Sequence, residues 1–124
     1  MVNKIKLFIS DVDGVLTDGS MYYLENGIEM KRFSTYDGMA FELVRNLGVK
    51  TSIITSEKTN LVKTRAKKLK IDYLYQGVKG KGKLKAALDI CKKEGFDLNE
   101  VAYIGDDINC KDLLEAVKFK ACPF

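Results

Sequence analysis

Apolar residues fall along the chain in short continuous runs that alternate with stretches of helical spacing. Ile5 to Ile9 is a short apolar run that opens into Ser10-Asp11-Val12-Asp13-Gly14, the pattern of a buried strand running into a loop. Between Met21 and Phe33 two strand-like runs flank Asn26-Gly27, a strong hairpin signal, so a two-stranded hairpin is expected there. Met39, Ala40, Leu43, Val44 and Leu47 recur at helical spacing, with Asp37 as the expected N-cap and Gly48 as the stop. Val49 to Ile54 reads as a strand ending at Thr55-Ser56, and Lys58 to Lys70 as a basic amphipathic helix turning Leu61, Val62, Ala66 and Leu69 inward. Asp72 to Tyr75 is a short strand, and Gly77 to Gly82 a lysine-rich loop. Leu84 to Lys93 is a helix with Leu84, Ala87, Leu88 and Cys91 on one face and Gly95 as its stop. Val101 to Ile104 is a further strand leading directly into Gly105-Asp106-Asp107, followed by a helix from about Cys110 to Ala116 and a strand from Phe119 to Ala121.

Strands alternating with helices imply an α/β fold, a Rossmann-like doubly wound parallel sheet with a β-hairpin inserted after the first strand. With no repeat or linker, residues 1–124 are expected to form a single domain, the hairpin standing out as a flap at about 20–34. In such sheets ligands bind beyond the carboxyl ends of the strands.

Composition narrows the chemistry. Apolar residues at 46% suffice for one core, and charged residues at 31% suit a soluble surface. The net charge of +4 is mild and, apart from Lys79 to Lys85, the lysines are dispersed, so no nucleic-acid partner is expected. No stretch is long and apolar enough to span a bilayer, the N-terminal run is not read as a signal peptide, and a cytoplasmic location is expected with no membrane partner. The three cysteines, Cys91, Cys110 and Cys122, lack metal-clip spacing and read as reduced thiols. The chain has no histidine, which removes histidine-based triads, metal sites and acid–base catalysis.

Three polar clusters follow strands that should end on one edge of the sheet: Asp11 with Asp13, Thr55 with Ser56, and Asp106 with Asp107. On extended backbone Asp11 and Asp13 point to the same side, and Gly14 permits a sharp turn after them. Taken singly, Asp-x-Asp-Gly reads equally as a turn, Gly-Asp-Asp as a loop with a helix cap, and Thr55 as a cap. Convergent carboxylates repel unless a cation or a buried proton intervenes, and oxygen donors without histidine favour Mg2+, a usual companion of phosphate.

The run from Asp11 to Gly19 resembles motif I of haloacid dehalogenase (HAD) superfamily phosphatases; Ile53-Ile54-Thr55 is similar to motif II and Gly105-Asp106-Asp107 to motif IV. Phe33-Ser34-Thr35-Tyr36-Asp37-Gly38, Tyr75-Gln76-Gly77-Val78 and Val101 to Asp107 narrow the resemblance to the capless branch. That branch comprises 3-deoxy-D-manno-octulosonate 8-phosphate and 2-keto-3-deoxynonulosonate 9-phosphate phosphatases, of lipopolysaccharide and sialic acid biosynthesis. The resemblance implies a HAD-like, capless fold and a Mg-dependent phosphomonoester hydrolase. Asp11 would be the nucleophile forming an aspartyl-phosphate, and Asp13 the general acid and then base. Asp11, the Asp13 carbonyl and Asp106 would hold Mg2+, while Thr55 and a lysine hold the phosphoryl oxygens. Keeping the family's Lys-Leu pair selects Lys83, with Lys81 as the alternative in a loop longer than the family's.

The octulosonate enzymes usually carry Gly-Arg after the motif II threonine, where this chain has Ser56-Glu57-Lys58. Glu57, with Lys68 in the next helix, resembles the nine-carbon relatives, so Ser56, Glu57 and Lys68 are expected to bind substrate and the nine-carbon sugar acid to be preferred. Glu57 alternatively serves only to favour a helix N-terminus. The resemblance further implies a homotetramer in which the hairpin, through Tyr22, Tyr23 and Met30, helps to close a neighbour's site. Two departures stand out: Cys110 occupies a position where the family usually has Asp, and relatives continue beyond Ala121-Cys122-Pro123-Phe124. Both point to the alternative of a non-catalytic or regulatory remnant, like the domain attached to some acylneuraminate cytidylyltransferases. A phospho-receiver module, with its acid pair after the first strand and its acceptor Asp after a middle strand, has the opposite order of motifs.

Overall fold

The computed structural model describes residues 5–12, 15–17, 22–23, 25–27, 29–30, 33–105 and 111–121. Its strands are β1 (Leu7–Ser10), β2 (Tyr22–Tyr23), β3 (Glu29–Met30), β4 (Lys50–Ile54), β5 (Tyr73–Tyr75), β6 (Val101–Ile104) and β7 (Phe119–Ala121). Its helices are α1 (Thr35–Asn46), α2 (Asn60–Lys68), α3 (Lys81–Glu94) and α4 (Lys111–Ala116), with a 3-10 turn at Leu98–Glu100.

Five strands form one parallel sheet in the order β5-β4-β1-β6-β7. Ser10 at the end of β1 stands opposite Ile53 on one side and Ile104 on the other, so three strand ends are level. Leu7, Ile9, Ile54 and Val101 are fully buried, as a parallel sheet covered on both faces requires. Burial of each such side chain contributes roughly 1.5–3 kcal/mol.

The two faces hold separate cores. Phe41 of α1 and Val62 and Ala66 of α2 pack with Val12, Leu16, Ile53 and Leu69. Ala86, Ala87, Ile90 and Cys91 of α3 and Leu113 of α4 pack with Leu7, Ile9, Ile54, Val101 and Tyr103. The chain therefore winds outward from β1 through β4 to β5, then crosses to β6 and β7 with its helices on the opposite face. The direction reverses between β1 and β6, and the crevice outside their carboxyl ends is the switch point where ligands bind.

Several expected details differ. Ser34, not Asp37, caps α1: its hydroxyl accepts the Tyr36 N–H at 3.2 Å, and Asp37 falls in the first turn. Met39, Leu43 and Leu47 of the helically spaced series are 63%, 65% and 81% exposed, and Tyr36 joins them on the outer face. Phe41 takes the buried position instead. Leu61 and Leu88 also face outward. α3 begins at Lys81, a turn earlier than the apolar periodicity indicates, and Gly95 ends it in the left-handed conformation (φ 73°). In the hairpin, Tyr22 pairs with Met30 and Tyr23 with Glu29, and the Thr17–Phe33 bridge lies at its base. Tyr23 is exposed, while the side chains of Tyr22 and Met30 lie outside the described residues.

Candidate active site

Asp11 continues β1 by one residue, its N–H donating to Ile104 O at 3.0 Å. The Val12 carbonyl then accepts the N–H groups of Val15, Leu16 and Thr17, so the chain turns tightly just past Asp11. Buried Val12 and Leu16 anchor this turn in the core beneath α1 and α2.

The carboxylate of Asp11 is buried at this edge. Its Oδ1 accepts the Val12 N–H at 2.8 Å, and Oδ2 lies 3.5 Å from Lys83 Nζ. Lys83 is itself only 1% exposed. A buried carboxylate and a buried ammonium each carry a large desolvation cost, so their meeting is an opposite-charge pair held by the fold. Lys83 reaches this position from the first turn of α3, with its N–H bonded to Gly80 O at 3.1 Å.

Thr55 follows β4, one strand over from β1, and is 1% exposed. Its hydroxyl accepts the Glu57 N–H at 3.3 Å. Its backbone ties the two neighbouring loops together: Thr55 N–H donates to Tyr75 O at 2.9 Å and Val78 N–H donates to Thr55 O at 3.0 Å. Gly77 N–H reaches Glu57 O at 3.1 Å, and Thr59 N–H reaches the Gln76 side-chain oxygen at 2.9 Å. These bonds fix where the loop after β5 enters α3, and hence where Lys83 points. Gly77 and Gly80 both have positive φ (70° and 54°), which glycine adopts without strain.

Of the predicted site residues, Asp11 and Lys83 are in contact and Thr55 sits on the same sheet edge. Lys81, the alternative lysine, is exposed. Ser56 and Glu57 are half-buried in the turn after Thr55. Lys68 lies in the last turn of α2, exposed, in a groove of about 410 Å3 shared with Phe33, Asn60, Leu61, Thr64 and Arg65. Asp13 and Asp106, with Asp107 and Cys110, lie outside the described residues. Gln76 is the residue whose role sequence reasoning missed; it stands in the Tyr75-Gln76-Gly77-Val78 stretch, and its bond to Thr59 needs the fold to be seen.

Among the described residues no three His, Cys, Asp or Glu side chains converge as a metal cluster; Asp11 is the candidate ligand at this edge. A buried carboxylate with oxygen donors, in a chain without histidine, fits a hard cation of the Mg2+ kind.

No family profile matches the chain. The chain is 40% identical over 114 residues, 92% of its length, to the 3-deoxy-D-manno-octulosonate 8-phosphate phosphatase of Escherichia coli (strain K12). A Legionella pneumophila protein described as a HAD superfamily (subfamily III A) hydrolase superposes with a TM-score of 0.86 at 38% identity, over 93% of this chain and 62% of that one. The chain belongs to the haloacid dehalogenase superfamily. Within the HAD superfamily, the octulosonate 8-phosphate phosphatase of Moraxella catarrhalis, crystallised with magnesium, phosphate and a KDO molecule, matches with a TM-score of 0.86 at 37% identity. That match covers 93% of this chain and 65% of the Moraxella chain. The chain spans about 60% of the length of the curated relatives it matches. Its parallel sheet with flanking helices is the HAD-like fold.

Proposed function

We propose that this chain is a Mg-dependent phosphomonoester hydrolase acting on a sugar-acid phosphate. The nine-carbon 2-keto-3-deoxynonulosonate 9-phosphate is the preferred substrate and 3-deoxy-D-manno-octulosonate 8-phosphate the next. The observation that carries the reading is the buried Asp11–Lys83 pair at the switch point of the sheet.

In the proposed reaction the Asp11 carboxylate attacks phosphorus, and an Asp–O–P bond forms as the P–O bond to the sugar breaks. Asp13 gives its proton to the leaving sugar oxygen, then takes one from the water that attacks the aspartyl-phosphate and returns Asp11 as a free carboxylate. Lys83 supplies fixed positive charge beside Asp11, where an anionic phosphoryl group would otherwise be repelled, and the Thr55 hydroxyl holds a phosphoryl oxygen. The Asp11 carboxylate, the Asp13 backbone carbonyl and the Asp106 carboxylate would hold Mg2+. Bound there, Mg2+ supplies charge neutralisation for the phosphoryl oxygens.

Ser56, Glu57 and Lys68 are proposed to act on the sugar, and Glu57 in place of the octulosonate enzymes' arginine supports the nine-carbon preference. Exposed Tyr23 and the outward Tyr36, Met39, Leu43 and Leu47 face of α1 support a homotetramer. The cytoplasm is the proposed location, in keeping with the free, buried Cys91; among the described residues no helix is long and apolar enough to cross a membrane.

Phosphate release from a panel of sugar phosphates, with and without Mg2+, tests the reading. Release is expected only with Mg2+ and only with Asp11 intact. Asp11→Asn that still turns over removes the nucleophile assignment. No turnover by a folded wild type favours the non-catalytic remnant, the alternative that Cys110 in place of the family's Asp supports.

A further inference from the structure

A cleft beside the Thr55 turn carries charge that the proposed reaction leaves unused. It has a volume of about 550 Å3 and is lined by Lys58, Thr59, Asn60, Lys63, Leu74 and Gln76, with no acidic side chain among the described residues of its wall. The Thr59–Gln76 and Gly77–Glu57 hydrogen bonds hold its two sides in register. Lys58 and Lys63 are exposed at its rim.

The surrounding stretch is unusually one-sided. Residues 58–71 contain Lys58, Lys63, Arg65, Lys67, Lys68 and Lys70 and no Asp or Glu. Setting those six aside from the 21 Lys and Arg leaves 15 cations against 17 acids, so without this stretch the chain is net acidic. This stretch therefore accounts for the sign of the net charge, and two of its cations, Lys58 and Lys63, line the cleft.

Position gives this charge a use. Lys58 is three residues past Thr55, which limits their Cα separation to about 11 Å. Gln76 directly follows β5, so the cleft opens on the same sheet edge as the phosphate-handling residues. A phosphorylated sugar acid is anionic at both ends. With its phosphate beside Asp11, Lys83 and Thr55, its carboxylate lies one sugar chain away. Two ammonium groups with amide donors from Asn60 and Gln76 are the functions that take a carboxylate, and Leu74 offers an apolar wall to the carbon chain. Lys68, by contrast, belongs to the separate groove with Phe33 and Arg65.

We propose that Lys58 and Lys63 form the subsite for the substrate's carboxylate, so that this cleft selects sugar acids over neutral sugar phosphates. The proposal rests on the phosphatase reading and adds a specificity device to it.

The test is the ratio of kcat/KM for a 2-keto-3-deoxy sugar-acid phosphate to that for a neutral aldose phosphate, measured on the full chain. In the Lys58→Gln/Lys63→Gln double variant the ratio is expected to fall about tenfold, through KM rather than kcat. Lys63→Arg in the wild-type background is expected to keep most of it, and Lys92→Gln, exposed on α3, to leave it unchanged. An unchanged ratio in the double variant, or equal losses on both substrates, overturns the proposal. Wild type that hydrolyses neither substrate refutes the phosphatase reading instead. The subsite is then judged by amide NMR titration of the full chain with the unphosphorylated sugar acid. Shifts at Lys58, Lys63 and Gln76 that vanish in the double variant sustain it, and their absence overturns it.

Discussion

Replacing Lys83 by methionine removes the ammonium that faces Asp11 and leaves a carboxylate buried against the sheet edge. At the observed 3.5 Å and an effective dielectric constant of about 20, the pair attracts by about 5 kcal/mol. Desolvation of both groups offsets much of this, and truncating one partner of a buried pair typically costs about 3–5 kcal/mol. Both residues keep other interactions, so the pairwise share is smaller, about 2–4 kcal/mol. That is a large fraction of the roughly 5–15 kcal/mol that holds an ordinary domain together. A double-mutant cycle isolates it: wild type, Asp11→Asn, Lys83→Met and the double variant, unfolded in urea and followed by far-UV circular dichroism. EDTA is present throughout, so that no metal ion substitutes for the lysine. Each single variant is expected to be destabilised, and the double variant by clearly less than the sum. Coupling below about 0.5 kcal/mol, the level of independent sites, would mean that the two charges do not meet in solution.

Thr55→Val removes a buried hydroxyl without changing shape, and kcat/KM for phosphate release is expected to drop about 10- to 100-fold; an unchanged rate takes Thr55 out of the site. Gly80→Ala places a side chain where φ is +54°, three residues before Lys83. A loss of at least about 1 kcal/mol in urea unfolding is expected, with reduced phosphate release, and full retention of both contradicts the assigned role of this turn. Lys6 beside Glu100 at 2.7 Å, and then the Asp97 N–H, hold the Glu100 carboxyl below the usual glutamate range. A lowered folded pKa stabilises the protein above the unfolded value of about 4.3, and the contribution is lost as pH falls through the lower folded value. Glu100→Gln should therefore lower Tm at neutral pH by an amount that narrows in acid; a deficit independent of pH would refute the ionic origin.

The site was more legible than the helices that carry it. Asp11 and Thr55 follow short apolar runs with the length and flanks of buried strands, so their place on one sheet edge follows from strand direction. Lys83 and Lys81 differ by two residues in a stretch of alternating glycine and lysine, and only the Lys83-Leu84 pair favours Lys83 over Lys81. Three-dimensional packing separates them: the first turn of α3 buries Lys83 and leaves Lys81 in solvent. The apolar spacing in α1 does not mark its inner face, because apolar residues stand on both faces. Met39, Leu43 and Leu47 form the longer periodic series, yet Phe41 is the residue that α1 buries. Ser34, three residues before Asp37, has the spacing of a capping pair, a signal available in the sequence that points to the earlier start of α1.

The backbone hydrogen bonds that join the turn after β4 to the loop after β5 separate the framework of the site from the side chains that decorate it. Thr55 and the entry to α3 are clamped through main-chain atoms, which every amino acid except proline can provide in full. Side chains at 56–58 and 63 are left to vary without loosening that clamp. Such modularity lets the side chains change while the frame around Asp11 and Lys83 stays in place, and it marks these positions as the natural place to begin when re-engineering this scaffold.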